Sequence, residues 1–336
     1  MKLAQKTGLA ACALLAVSGL AACGSDSGDG GVDAKVLKVA FNQSETHPQY
    51  VAMQEFGEKL KERTDGAYSI EMFPNELLGA QQETITGVQS GSIDMSIVVG
   101  SLMENVNPDF VAFDLPYAFE SVDQQMSVLN DPEITGDLYS SMEDEGVHVA
   151  GAFHSGVRNV YTKDNPVETT SDLNGQKIRV IQNDTMVEMM NLMGGVGTAM
   201  GQGDVYTAIQ SGVLDGGENN ELIFNSLKHD EVAPYYSYTQ HLMVPDYLIV
   251  NADLFEGMSA ENQEIFNEEF AAAVESEVGL WDDAVTEAKA AAEEAGATFT
   301  EIDTAPFKEA VQPLVDKKLE SSETARELYD AAQAAA

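Results

Sequence analysis

Along this chain the spacing of apolar positions switches repeatedly between two residues and three to four. Leu37, Val39 and Phe41 alternate with other residues, so 36–41 reads as a strand with one buried face. Met53, Phe56 and Leu60 then recur at helical spacing through 48–63, a helix ended by Asp65-Gly66. Tyr68, Ile70 and Met72 alternate again. Segment 81–89 reads as a short helix ending near Gly91, and 95–99 and 147–153 as apolar strands. Between those two strands the pattern predicts helices over 123–129 and 132–145. The alternation resumes with strands at 159–162 and 177–181, helices over 184–193 and 204–210, and a strand at 247–250. Met186, Met189, Met190 and Met193 form a stripe on one helical face, which reads as core packing rather than a ligand surface. Strands alternating with helices point to an α/β chain with mostly parallel layers. From Ser259, an N-cap residue, apolar positions step by three and four through Phe266, Phe270, Trp281 and Ala292 to a closing Gly296. That is one helix of about 35 residues, roughly 50 Å, long enough to couple two domains. A break near Gly279 into two helices is the alternative.

The first 22 residues do not fit this pattern. Lys2 and Lys6 precede an apolar run from Gly8 to Leu20, and Leu20-Ala21-Ala22-Cys23 follows. This resembles a bacterial lipobox, in which Cys23 becomes the lipid-modified N-terminus; an ordinary secretory signal with an incidental cysteine is the alternative. Residues 23–34, rich in Gly, Ser and Asp, read as a flexible tether. Cys12 leaves with the signal and Cys23 carries lipid, so the remaining body has no disulfide, no thiol catalysis and no Cys-ligated metal. No other stretch approaches the ~18 apolar residues of a membrane span. The protein is expected outside the cytoplasm, lipid-anchored. About 300 residues remain for the body, enough for two domains.

Seventeen basic residues face 56 acidic ones, a formal net charge of −39, and losing the signal removes two lysines and no acid. Nucleic acid and anionic lipid surfaces are therefore excluded as partners. Any anionic ligand must reach a local positive spot against an unfavourable field. No H-E-x-x-H, G-x-S-x-G, P-loop or G-x-G-x-x-G is present, and the five histidines are scattered. His229-Asp230-Glu231 suits a solvated helix end better than a metal site. Neither a catalytic group, a cofactor nor a metal is expected. A lipid-tethered, exported α/β body without catalytic signature points to a solute receptor, with ligand in a crevice at strand ends.

Arg179 is the residue on which that idea turns. It lies in Lys177-Ile178-Arg179-Val180-Ile181, and the chain has only three other arginines, Arg63, Arg158 and Arg326. A guanidinium in an apolar strand must be paired, because an unpaired buried charge is costly. Either an internal Asp or Glu pairs with it, the commoner arrangement, or it awaits a ligand's carboxylate, which its planar fork matches.

Several patches, in order, resemble one family. They are Met72-Phe73-Pro74-Asn75-Glu76-Leu77-Leu78-Gly79, Gly91-Ser92-Ile93-Asp94-Met95, Phe113-Asp114-Leu115-Pro116-Tyr117, Arg158-Asn159-Val160-Tyr161, the segment from Asp172 to Val180 and that from Asp204 to Gly216 with Glu218-Asn219. Over about Val36 to Lys318 the chain is similar to the DctP-type substrate-binding proteins of tripartite ATP-independent periplasmic (TRAP) transporters. The resemblance implies a two-lobed periplasmic-binding-protein-like fold (type II), with two mixed sheets flanked by helices and a long helix spanning both lobes. The implied division is 35–156 plus 247–283 for lobe I and 157–246 plus 284–334 for lobe II. It also implies a small organic-acid ligand and delivery to TRAP membrane subunits. Arg179 becomes the carboxylate partner, joined by Arg158 and Asn219, reversing the reading from local pattern alone. His47, His154 and Gln182 stand near strand ends, where each is either a contact to ligand hydroxyls or a structural polar residue. Val99 occupies the position at which sialic-acid binders carry a glutamate, which argues against sialic acid. Asn219-Asn220, His229, Tyr235-Tyr236, Thr239, His241 and Val244-Pro245 resemble members that bind uronates and related sugar acids; C4-dicarboxylates use the same arginine. Members often carry prolines where Gly197 and Ala199 stand, so the turn feeding the cleft is expected to be looser here. A receptor for an ATP-driven importer and a secreted enzyme are the other readings.

Overall fold

A computed structural model describes residues 34–335. Residues 1–33, on which the expected signal, the lipidated Cys23 and all of the expected tether except Ala34 fall, lie outside the described residues. The chain runs β1 (Lys35–Ala40), α1 (Pro48–Arg63), β2 (Tyr68–Phe73), α2 (Gln81–Gln89), β3 (Met95–Val99), α3 (Gly100–Met103), α4 (Val122–Leu129), α5 (Pro132–Ser140) and β4 (Val147–Phe153). It continues with β5 (Arg158–Thr162), β6 (Lys177–Val180), α6 (Asp184–Leu192), β7 (Val196–Ala199), α7 (Val205–Gln210), β8 (Gly216–Asn219), α8 (Glu221–Ser226), α9 (His229–Val232) and β9 (Tyr235–Leu242). Then come β10 (Asp246–Asn251), α10 (Ala252–Glu256), α11 (Ala260–Ala295), β11 (Thr298–Thr300), α12 (Ala305–Ser321) and α13 (Glu323–Ala334).

Two mixed sheets result. One has the order β2-β1-β3-β10-β4, the other β11-β9-β5-β8-β6-β7. Strands β1, β2 and β3 are parallel, as the alternation of strands and helices requires, but β10 enters antiparallel between β3 and β4. In the second sheet β5 is antiparallel to both β8 and β9. The sequence pattern gives parallel layers because it sees only local crossovers. The antiparallel strands arise where the chain changes sheets, between β4 and β5 and back between β9 and β10.

The periodic strands bury the faces expected of them. Leu37, Val39 and Phe41 pack with Met53, Phe56 and Leu60 of α1. The methionine stripe of α6 is wholly buried against Ile178 and Val180. The 132–145 segment is not one helix: α5 stops at Ser140 and a separate 3-10 turn covers Glu143–Glu145, closed by Gly146 at φ 78°. Helix α11 is continuous over 36 residues, Gly279 included; Ser259 caps it through Asn262 N at 3.2 Å and Gly296 ends it at φ 104°. Its first half packs Phe266 and Phe270 on Phe56, ring centroids 5.0 and 6.4 Å apart, and its last turns place Ala292 in the cluster of Phe224 and Tyr236. One rigid rod thus touches the layers of both sheets. Helix α13 packs on α4, α5 and the 3-10 turn Pro108–Phe113, on the side of the first sheet.

Candidate functional site

Strand pleating puts Arg179 opposite its neighbours. Ile178 and Val180 enter the core, so Arg179 between them projects from the other face of β6. There it borders a narrow cleft, lined from the side of the first sheet by Gln43, Glu76, Val99 and Asp246, and from that of the second by Arg158, Arg179, Gln182, Gln202 and Asn219. Arg179 is 4% exposed, and its Nε donates to the Met200 carbonyl at 2.8 Å. That bond fixes the plane of the guanidinium. No carboxylate lies within ion-pair distance of Arg179 among the described residues. Burial lowers its pKa below that of a free guanidinium; the Glu218 charge opposes this and the Arg158 charge adds to it. The internal ion pair, the commoner of the two arrangements open from sequence, is not found among the described residues.

Arg158 is the opposite case. Its Nε donates to Glu218 Oε2 at 2.5 Å and its Nη2 to Glu218 Oε1 at 2.7 Å and to the Glu218 carbonyl at 2.7 Å. Nη1 donates to Asn219 Oδ1 at 3.1 Å. Four of the five N–H groups of a guanidinium are thereby used. Burial alone would raise the Glu218 pKa, but the Arg158 charge and hydrogen bonds, with His241 Nε2 3.6 Å away, hold it down at about 2. Arg158 borders the cleft as half of a buried ion pair, with one N–H left over. Asn219 Oδ1 also accepts from Asn220 N at 2.9 Å, so its Nδ2 is the end free for a guest.

The backbone that holds this pair depends on glycine. A Cβ on Gly216 would run into the Tyr161 carbonyl, and one on Gly217 would lie 2.5 Å from the Tyr161 hydroxyl. Beneath the cleft, Tyr236 donates to the Asn219 carbonyl at 2.9 Å and Tyr161 pairs with His229 Nδ1 at 2.8 Å. His229 and Asp230 are therefore buried structural residues, not a solvated helix end. Gly197, expected to loosen a turn, lies in strand β7 instead; a Cβ there would come within 2.7 Å of the Val187 carbonyl. Its missing side chain lets α6 pack tightly.

Arg179, Arg158, Asn219 and Gln182 come together at the cleft, and Val99 lines it too. His47 and His154 do not. His47 caps α1 through Gln49 N at 3.3 Å, and His154 pairs with Gln125 Oε1 at 3.0 Å. Both pack edge-on to Trp281, at 5.6 and 4.9 Å, and burial alone lowers their pKa values to about 3 and about 4, so both are neutral packing groups near pH 7. Sequence reasoning missed Glu76, Asp246 and the amide bridge in which Gln202 Nε2 donates to Gln43 Oε1 at 2.9 Å. Glu76 and Glu218 stood inside the family-like patches, and their position there was the available signal. The others carry no local mark.

A cleft between two sheets, lined by amides and by a cation without a carboxylate partner among the described residues, is an arrangement suited to a solute receptor. The chain belongs to the bacterial extracellular solute-binding protein family 7, DctP, whose model matches residues 39–322. It is a receptor of the TRAP type, from a family that works outside the cytoplasm, and no helix among the described residues is long and apolar enough to cross a membrane. A TRAP periplasmic solute-binding protein of Anaerococcus prevotii, solved with bound α/β-D-glucuronate, is 38% identical, with a TM-score of 0.87 over 89% of this chain and 97% of that one. Another, from Sulfitobacter sp. NAS-14.1 with bound β-D-galacturonate, is 32% identical, with a TM-score of 0.83 over 88% and 98%. The 2,3-diketo-L-gulonate-binding periplasmic protein YiaO of Escherichia coli is 30% identical over 74% of this chain and 75% of its own.

Proposed function

We propose that this receptor binds a uronate or closely related sugar acid in the cleft and hands it to the membrane subunits of a TRAP transporter. Arg179 grips the carboxylate with its two Nη groups. Arg158 adds its remaining N–H, and Asn219 Nδ2 and Gln182 bond neighbouring oxygens. The observation that carries this reading is Arg179 itself, buried, oriented by Met200, and without a carboxylate among the described residues. A desolvated guanidinium of that kind is satisfied by a planar anion in two charge-assisted bonds. The uronates and keto acid bound by the relatives have that chemistry. The lobes would be 35–156 with 247–283 and 157–246 with 284–322, while α13 travels with the first lobe, on which it packs. Lipid on Cys23 would keep the receptor at the outer face of the membrane.

Thermal denaturation with and without D-glucuronate, D-galacturonate, 2,3-diketo-L-gulonate and succinate tests the reading. A sugar acid at a hundredfold excess over Kd should stabilise the protein by about 2.7 kcal/mol. Arg179→Met should abolish the shift. Failure of every sugar acid to raise the melting temperature would overturn the proposal.

A further inference from the structure

We infer that Glu76 makes the cleft selective for acids carrying one carboxylate and several hydroxyls, and turns away diacids of the same size. The inference rests on the sugar-acid reading and concerns the end of the ligand away from Arg179. Charges lining the cleft are few. Arg158 is neutralised by Glu218, which leaves Arg179 as the one lining cation without a carboxylate partner among the described residues. Facing it from the first sheet's side are two acids, Glu76 and Asp246, and no cation. A guest held by Arg179 therefore shares the cleft with these two carboxylates.

Glu76 is held in place rather than swinging from a loop. Asn75 and Glu76 both adopt left-handed backbone, φ 56° and 57°, a conformation ordinarily avoided by residues with a side chain. Their N–H groups donate to the Gln43 carbonyl at 2.9 Å and the Phe41 carbonyl at 3.1 Å, pinning the turn to the end of β1. The carboxylate reaches across the cleft to the turn that follows Met200; a Cβ on Gly203 would lie 2.6 Å from Glu76 Oε2. Among the described residues no side chain or backbone N–H donates to the Glu76 carboxylate. Its oxygens are acceptors without donors, at the edge of a cleft otherwise furnished with neutral amides such as Gln43, Gln182 and Gln202.

An ionised carboxylate only accepts hydrogen bonds, so it welcomes a sugar hydroxyl and repels a second carboxylate. Like charges brought together in a desolvated site are a strong means of rejecting wrong partners. Burial and the Asp204 charge raise the Glu76 pKa while Arg179 lowers it, consistent with a group that lacks a fixed counter-ion.

Titration calorimetry of the full chain with D-galacturonate and with D-galactarate, its diacid counterpart oxidised at C1, tests the inference. The diacid should bind at least about 100-fold more weakly. Glu76→Gln keeps the shape and removes the charge; it should weaken galacturonate and narrow the gap at least about tenfold. Equal wild-type affinity for the two acids would overturn the inference while leaving the sugar-acid reading intact, and this comparison needs no variant to fold. A Glu76→Gln protein whose two affinities change by the same factor would also overturn it. If wild type binds neither acid, nor any other sugar acid, the functional reading falls and the inference with it.

Discussion

Two arginines on strands either side of β8 carry opposite consequences for stability. Arg158 is locked to Glu218 through three hydrogen bonds, and removing one partner of a buried pair leaves the other uncompensated. Arg158→Met should therefore destabilise the ligand-free protein by about 3–5 kcal/mol. Arg179 satisfies only its Nε, on Met200, so Arg179→Met should leave the ligand-free protein as stable as wild type or more so. Urea denaturation of the two variants side by side tests this; equal losses would mean that Arg179 has a counter-ion. That Arg179 is a cation set in an apolar strand was legible from the sequence. That Arg158 is occupied was not, because its partner Glu218 is 60 residues away and only the pairing of β5 with β8 joins them.

Among the elements, those with strong apolar period were readable and those shaped by neighbours were not. Helices α1 and α2 and strands β3 and β4 have the bounds expected from sequence. Strand β8 is Gly-Gly-Glu-Asn, with no apolar side chain at all; it is a strand because β5 and β6 flank it and only glycine fits beside Tyr161. Two glycines separate these effects. In α11 an added Cβ at Gly279 meets nothing within 4 Å, so Gly279→Ala should stabilise by about 0.5–1 kcal/mol through helix propensity. Gly216→Ala should cost at least about 1–3 kcal/mol, since the Tyr161 backbone stands in the way. Melting temperatures of the two variants should move in opposite directions; a loss at Gly279 would show that α11 needs a flexible point there.

Across the whole molecule the strongest long-range influence is the formal charge of −39, against which an anionic ligand must diffuse to a cleft with one cation free of a carboxylate partner among the described residues. Screening weakens such repulsion, with a Debye length of about 10 Å at 0.1 M salt. The association rate of D-glucuronate should therefore rise with ionic strength, the reverse of an electrostatically steered encounter. Stopped-flow fluorescence can follow it through Trp281, the single tryptophan, packed between His47 and His154. A rate that falls with added salt would show that the local field of Arg179 prevails over the acidic exterior.

The sequence alone determined the α/β class, the long capped helix, the receptor family and the placement of Arg179, because each rests on local period, end signals or contiguous patches. Only the tertiary structure decided which arginine has an internal carboxylate and that His47 and His154 pack against Trp281 instead of lining the cleft. It also brought Glu76 to the cleft that Arg179 lines. Those outcomes depend on which distant strands become neighbours, and neither spacing nor composition encodes the direction in which a side chain finally points.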